Sequence, residues 1–249
     1  MITKQVELDD VETSLSHAKI IQQKSALKKL YADYYLSFKE GIQHLPDGKV
    51  LELGSGGGFI KEIIPETITS DVVELPGCDL VVMAENLPFP ENSLKAVLMI
   101  NVLHHIKNSE LFFREAERVL VKGGKIIIID HANTLWGRWI CKTLHHEPFL
   151  EKAGWIIPDT GRLSGANGAI AWIIFSRDRK LFEQKFPALH ISKIADHTPV
   201  LYLLSGGVKK WTLIPGFLFK PLRFLERTMK RLGINQGMFQ TIELQKNLQ

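Results

Sequence analysis

Apolar positions follow two rhythms along the chain. Between residues 11 and 45, Leu27, Leu30, Tyr31, Tyr34, Tyr35 and Phe38 recur at helical spacing with Lys28, Lys29 and Lys39 between them, which predicts helix. Pro46–Asp47–Gly48 is a turn. Beyond it, short apolar runs alternate with amphipathic ones. Lys49–Leu53 predicts a buried strand, and Phe59–Ile64 predicts a helix after it, stopped by Pro65. Thr67–Val73, Asp79–Met83 and Leu94–Ile100 predict three more strands. Ser109–Leu120 puts Leu111, Phe112, Ala116, Val119 and Leu120 on one side of a helix, which Gly123–Gly124 closes. Lys125–Asp130 is then a strongly buried strand. Strands alternating with helices predict an α/β fold with a doubly wound, mostly parallel sheet.

After Asp130 the rhythm breaks. Residues 131–168 mix Trp, His, Pro and Gly without a clean period. Ala169–Phe175 is too short to assign to strand or helix. Residues 178–186 read as helix, His190–Ala195 as strand and Phe239–Leu244 as a last short strand. Trp211–Leu232 stands apart as a basic, apolar stretch broken by Pro215–Gly216 and Pro221, with Leu222–Leu232 its best helical piece.

The 249 residues carry 45% hydrophobic and 23% charged side chains, an ordinary globular mixture that excludes wholesale disorder. Two cysteines, Cys78 and Cys141, have no ligand-like spacing to each other or to histidine, so neither a disulfide framework nor a zinc site is expected, and no metal is assigned. Free thiols fit a reducing cytosol. The first residues lack a signal-peptide core, and the longest apolar runs fall short of the ~20 residues of a spanning helix. A cytoplasmic protein is expected, one that could still lie against the inner face of a membrane.

The formal charge of +4 is unevenly spread. Residues 1–176 carry 18 basic and 22 acidic side chains; residues 177–249 carry 13 and 5. Most of the excess lies in Lys209, Lys210, Lys220, Arg223, Arg227, Lys230 and Arg231, opposed by Glu226 alone. Interleaved bulky apolar residues make this stretch read either as an interfacial helix for an anionic membrane surface or as a lid packed on the body. It is too apolar for a simple phosphate-tracking face, so nucleic acid is not the expected partner.

The chemistry is concentrated in Val50–Leu51–Glu52–Leu53–Gly54–Ser55–Gly56–Gly57–Gly58–Phe59. A glycine loop leaving a strand and opening a helix brings backbone N–H groups close to a nucleotide-like ligand. Gly54 and Gly56 fit the dinucleotide pattern G-x-G-x-x-G, but its third position is Phe59, which argues against NAD or a nucleotide sugar.

This block resembles motif I of the class I S-adenosylmethionine-dependent methyltransferases. Further blocks follow in that family's order: Thr69–Ser70–Asp71, Ala84–Ser93 (AENLPFPENS), Asn101–Ile106 (NVLHHI) and Arg118–Lys125 (RVLVKGGK). The resemblance implies a single Rossmann-like domain over 47–249. Its sheet would have seven strands, with one antiparallel strand near the edge. A helical cap at 1–46, an irregular substrate-side segment at 131–168 and an inserted element at 208–236 complete it. It also implies S-adenosylmethionine as cofactor and S-adenosylhomocysteine as product.

By the same resemblance, Gly54, Ser55, Gly56 and Gly58 wrap the methionyl part and Glu52 meets its ammonium. Asp71 faces the ribose; Met83, Ala84 and Glu85 lie along the adenine; Asn101 and Val102 pass the sulfonium. Met83 stands where the family commonly has an adenine-binding Asp, and Leu75–Pro76–Gly77–Cys78 replaces the usual helix between the second and third strands. Methyl transfer from a sulfonium needs alignment first, and a base only when the acceptor is protonated. Asp130–His131 and His145–His146–Glu147 are the candidate catalytic groups, His131, His146 and Glu147 foremost. His104 and His105 carry no general catalytic role by this resemblance. A glycine-rich turn at Leu163–Ala169 reads as a loop. The expected acceptor is a small molecule, a saccharide or a lipid-linked intermediate; a cofactor-binding but catalytically silent partner subunit is the other reading.

Overall fold

The computed structural model describes residues 10–158, 161, 163–234 and 236–248. The predicted N-terminal helix is two, α1 (Val11–Gln23) and α2 (Ser25–Ile42), broken at Lys24, whose backbone is extended. Asp10 caps α1 by accepting from the Glu12 N–H. The break has a use. The Lys24 ammonium donates to the carbonyls of Ser205 (2.7 Å) and Gly207 (2.9 Å), tying a distant loop to the cap.

Next come β1 (Lys49–Leu53), β2 (Thr67–Asp71), β3 (Leu80–Val81) and β4 (Leu94–Ile100), all mutually parallel. No helix joins β2 to β3, as Leu75–Cys78 predicts. The helix expected at Phe59–Ile64 shrinks to one 3₁₀ turn, Ile60–Glu62. Pro65 leaves it no room to extend, and the cap fills the vacated space: Tyr35 of α2 packs edge-on to Phe59 at 5.1 Å. The glycine loop therefore opens no α-helix, and no helix dipole acts on its ligand.

Helix α3 (Ser109–Val119) is capped by the Asn108 side chain and buries Phe112, Phe113, Ala116 and Val119. Strand β5 (Leu120–His131) begins directly at its end. Gly123–Gly124, expected to close the helix, instead sit in a bulge of β5. Leu94 faces Leu120 and Ala96 already faces Lys125, and Gly123 takes φ +80°.

Beyond β5 lie α4 (Leu135–Thr143), then a helical turn at Ile170–Trp172 running into a π-helical Ile173–Arg177, and α5 (Arg179–Lys185). The ambiguous Ala169–Phe175 is thus helical and, apart from half-buried Trp172, buried. Then follow β6 (Leu189–His197), the short α6 (Leu201–Ser205), α7 (Phe219–Arg231) and β7 (Phe239–Lys246). Helix α7 starts before Pro221, which sits in its first turn, where a missing N–H costs nothing.

The seven strands run β3-β2-β1-β4-β5-β7-β6, and β7 is antiparallel to both neighbours. The expected α/β, Rossmann-like, seven-stranded sheet with one antiparallel strand near an edge is what forms. Two apolar clusters cover its faces. One gathers α3 and the 169–186 helices; the other gathers α1, α2, α6 and α7. The 208–236 insertion packs on the cap through Phe219 and Leu222. Arg223 pairs with Asp33 of α2 at 2.9 Å, and Lys29 donates to the Gly216 carbonyl at 2.9 Å. Among the described residues, no helix is long and apolar enough to cross a membrane.

The cap sits hard against the glycine loop. A Cβ at Gly57 would lie 2.0 Å from Ala18 Cβ, and one at Gly58 would lie 2.3 Å from the Tyr35 hydroxyl. Gly57→Ala should therefore cost about 1–3 kcal/mol of stability, the scale of overpacking. It should also speed proteolysis within 10–45. A chemical denaturation curve and limited digestion check this; an unchanged midpoint would show that the cap does not rest on the loop.

Candidate active site

One cavity of about 500 Å³ opens at the carboxyl ends of β1, β2, β4 and β5. Its first half is the glycine loop. Gly54 (φ +62°) and Gly56 (φ +51°) take left-handed conformations that suit glycine. A Cβ on Gly54 would strike Val102 at 2.4 Å, whereas one on Gly56 would touch only the Gly54 carbonyl, at 3.9 Å. All four glycines line the cavity, and Gly56 is the one where an added side chain would meet no close neighbour. Gly57 and Gly58, bound to the cap, make the loop thin enough for the helices above it.

The predicted residues of this half, Glu52, Gly54, Ser55, Gly56, Gly58, Asp71, Met83, Ala84, Glu85, Asn101 and Val102, all line the cavity. Their duties differ. Ser55 Oγ accepts from the Ser70 N–H at 3.1 Å, stitching the loop to β2. Asp71 accepts from the N–H groups of Gly56 (3.1 Å) and Val72 (2.8 Å), so it shapes the loop while edging the cavity. One Glu85 oxygen accepts from the Asn108 N–H at 3.2 Å. Asn101 holds φ +56°, and its buried Oδ1 has no hydrogen-bond partner.

Glu52 is the strongest feature. Its carboxylate is buried with Oε2 unpartnered. Burial, against hydrogen bonds from Ser55 and Tyr35, raises its pKa to about 7. Such a group is held short of a cation. The cap also supplies wall residues that motif reading did not reach, namely Ser14, His17 and Ile21 of α1 and Tyr31 and Tyr35 of α2. Only their helical spacing was visible, and core packing explains that equally well.

The second half of the cavity is a knot of imidazoles and carboxylates. His131 and Glu147, both predicted, lie in it; His146, also predicted, is half exposed at the rim, 3.8 Å from Glu147. The centre is His104, which resemblance alone assigned no catalytic part. Its Nδ1 meets Asp130 at 2.7 Å and its Nε2 meets Glu147 at 3.2 Å. His105 and His145 approach Glu147 at 3.5 and 3.6 Å, and the His131 ring lies 4.6 Å from that of His104. His131 Nδ1 is buried with no hydrogen-bond partner. These groups come from the ends of β4 and β5 and from the irregular segment, so no sequence spacing could display the set.

Burial opposes the charge on His104, but Asp130 and Glu147 outweigh it and raise its pKa to about 10. Burial together with charged His104 pushes His105 down to about 4 and His131 to about 3. Burial likewise lowers His145 to about 4. Glu147, although buried, is held far below the carboxylate range by His104, His105 and His145. The cluster thus holds two carboxylates, one imidazolium and three neutral imidazoles.

Glu52 makes a testable contribution without any ligand. Its folded pKa, about 7, exceeds the ordinary value of 4.5. Its stabilising effect is therefore full below pH 4.5 and is lost as pH rises to 7. The loss is roughly 3 kcal/mol. Denaturation curves of wild type and Glu52→Gln across this range should diverge by that amount; parallel pH profiles would show that the carboxyl is solvated.

Comparison with known proteins agrees with this geometry. Residues 51–128 match the methyltransferase-domain family model. An uncharacterised protein of Methanocaldococcus jannaschii is 33% identical over 94 residues, 34% of this chain and 46% of that one. An uncharacterised methyltransferase of Bacillus subtilis is 28% identical over 102 residues, 33% of this chain and 40% of its own. The matches thus span less than half of either relative. Among solved structures, the fold is shared with a SAM-dependent methyltransferase of Thermotoga maritima (TM-score 0.50, 18% identity, 93% of this chain and 99% of that one). It is also shared with a chain in the complex of the Haloferax volcanii Trm112 methyltransferase activator with a methyltransferase (TM-score 0.51, 11% identity, 94% and 98%). Residues 51–128 thus match a methyltransferase domain, set in a seven-stranded Rossmann-like sheet of the class I methyltransferase fold.

Proposed function

We propose that the protein transfers a methyl group from S-adenosylmethionine to a hydroxyl or amine of an amphiphilic acceptor. The observation that carries this reading is the buried, half-unpartnered Glu52 carboxylate beside Gly56, in the same cavity as the histidine cluster. The residues present fit the cofactor. Glu52 supplies the anion for its ammonium, Gly56 a backbone face without a side chain, and Asp71 lone pairs for ribose hydroxyls. Met83 and Ala84 offer apolar contact for the adenine, with Met83 in the place of the family's carboxylate. The cofactor supplies an activated methyl group; the chain's task is to align the acceptor and exclude water. The imidazoles and carboxylates of the second half bind a protonated acceptor atom and take up its proton.

An amphiphilic acceptor follows from the surface beside this half. Val208 lines the cavity, and Lys209 reaches the carbonyl of Leu144, next to His145 and His146 at the rim. From there the insertion exposes Leu213, Phe217, Phe224, Leu225 and Leu232, with Phe217 at 76% and Leu232 at 73%, among Lys220, Arg227, Lys230 and Arg231. Exposed large apolar side chains within a basic surface suit the interface of an anionic bilayer.

Calorimetry tests the cofactor. S-adenosylhomocysteine should bind and NAD should not. Glu52→Gln should weaken binding roughly 10- to 100-fold, the scale of a hydrogen bond to charge; Gly56→Arg should abolish it by filling the loop. Because the bound state needs Glu52 ionised, affinity should fall about tenfold per unit below pH 7 and level off above it. Binding of NAD, or of neither ligand, would refute this reading. Retained binding without turnover on any hydroxyl or amine acceptor would favour the silent-subunit reading.

For the surface, co-sedimentation with vesicles containing phosphatidylglycerol should retain the protein at low salt and release it at high salt. Phe217→Ser combined with Phe224→Ser should abolish retention. No retention of the wild type at low salt would sink the membrane contact.

A further inference from the structure

The acceptor half holds more than a base requires. Three side chains from three separate segments, His104, His131 and Glu147, each place a potential ligand atom within 4.8 Å of the others. His104 Nδ1 is committed to Asp130 at 2.7 Å, which leaves Nε2 turned toward Glu147 Oε2 at 3.2 Å. A carboxylate behind one ring nitrogen is the usual way a metal-ligating histidine is oriented and made a better donor. His131 is 6% exposed, and its Nδ1 has no hydrogen-bond partner. Two ligands about 2.1 Å from a tetrahedral ion stand roughly 3.4 Å apart, close to the His104–Glu147 separation.

We propose that His104 Nε2, His131 and Glu147 form a divalent-metal site at the acceptor end of the cavity, with Asp130 as the positioning residue behind His104. A donor set of two imidazoles and one carboxylate suits zinc, iron(II), cobalt or manganese; magnesium and calcium prefer all-oxygen ligands. Three protein ligands leave coordination positions open toward the cavity. An acceptor hydroxyl bound there loses its proton more readily and is fixed in place. This last role rests on the methyl-transfer reading; the metal site itself does not.

The test needs neither cofactor nor acceptor. The full chain, treated with chelator and dialysed, is titrated with Co²⁺ and followed by visible absorption. One equivalent should bind and give the intense d–d bands of a four- or five-coordinate ion, and Zn²⁺ should displace it. Glu147→Gln should weaken Co²⁺ binding at least 100-fold, and Asp130→Asn, which leaves all three ligands in place, 10- to 100-fold. His190→Gln, at an exposed histidine paired with Asn247, should change nothing. Far-UV circular dichroism verifies that each variant folds. A wild type that takes up no Co²⁺, or an Asp130→Asn protein that binds as tightly as wild type, would overturn the site. Loss of metal binding with S-adenosylhomocysteine binding intact would remove the metal and leave the transferase reading standing.

Discussion

The close approach of the cap helices to the Gly54–Gly58 loop is the constraint on which the rest depends. Ala18 and Tyr35 come so near that no side chain fits at Gly57 or Gly58. Two glycines therefore serve the cap and two serve the turn and the cavity. Pro65 cuts the helix that would follow β1 to one 3₁₀ turn, the cap takes the space, and the loop relies on backbone geometry and Glu52 rather than on a helix terminus. Tyr35 links the two roles, since it packs on Phe59 and also hydrogen-bonds to the Glu52 carboxylate.

The cap in turn holds the C-terminal insertion. Lys24, Lys29 and Asp33 each bind a different part of residues 205–223. Glu226, buried on α7, accepts from the N–H groups of Val200 and Leu201. One side of α7 is thus satisfied within the fold, and the other stays basic and apolar. The alternatives of lid and surface helix are not exclusive in this arrangement. The same element packs inward on the cap and faces outward beside the cavity rim.

At the far end of the cavity, electrostatics govern. Each buried carboxylate needs a cation or hydrogen bonds, and His104 serves both Asp130 and Glu147. Burial, and beside it the charge on His104, pushes the pKa values of the neighbouring imidazoles down. His131 Nδ1, which makes no hydrogen bond and lies 3.5 Å from the Asp130 carboxylate that His104 already holds, follows from the same crowding.

The glycine-loop half of the cavity was legible in the sequence because it is local. Glu52, the glycines, Asp71 and the residues of the 84–86 and 101–102 turns lie at or just beyond strand ends, and strand order alone gathers strand ends. The sheet was legible for the same reason: short apolar runs alternate with amphipathic ones. The break at Lys24 was not, since its cause lies in carbonyls nearly two hundred residues away. Nor was the histidine cluster. His131 and Glu147 stood out as candidates and Asp130 beside them, but their meeting around His104 follows only once β4, β5 and an irregular segment have folded together, and no spacing shows it. Sequence by itself determined the sheet, the loop and the charge of the tail, which follow from periodicity, turn chemistry and composition. Tertiary structure decided which glycines face the cavity, which histidine is charged and what the tail rests on, because each depends on distances between segments that no linear pattern encodes.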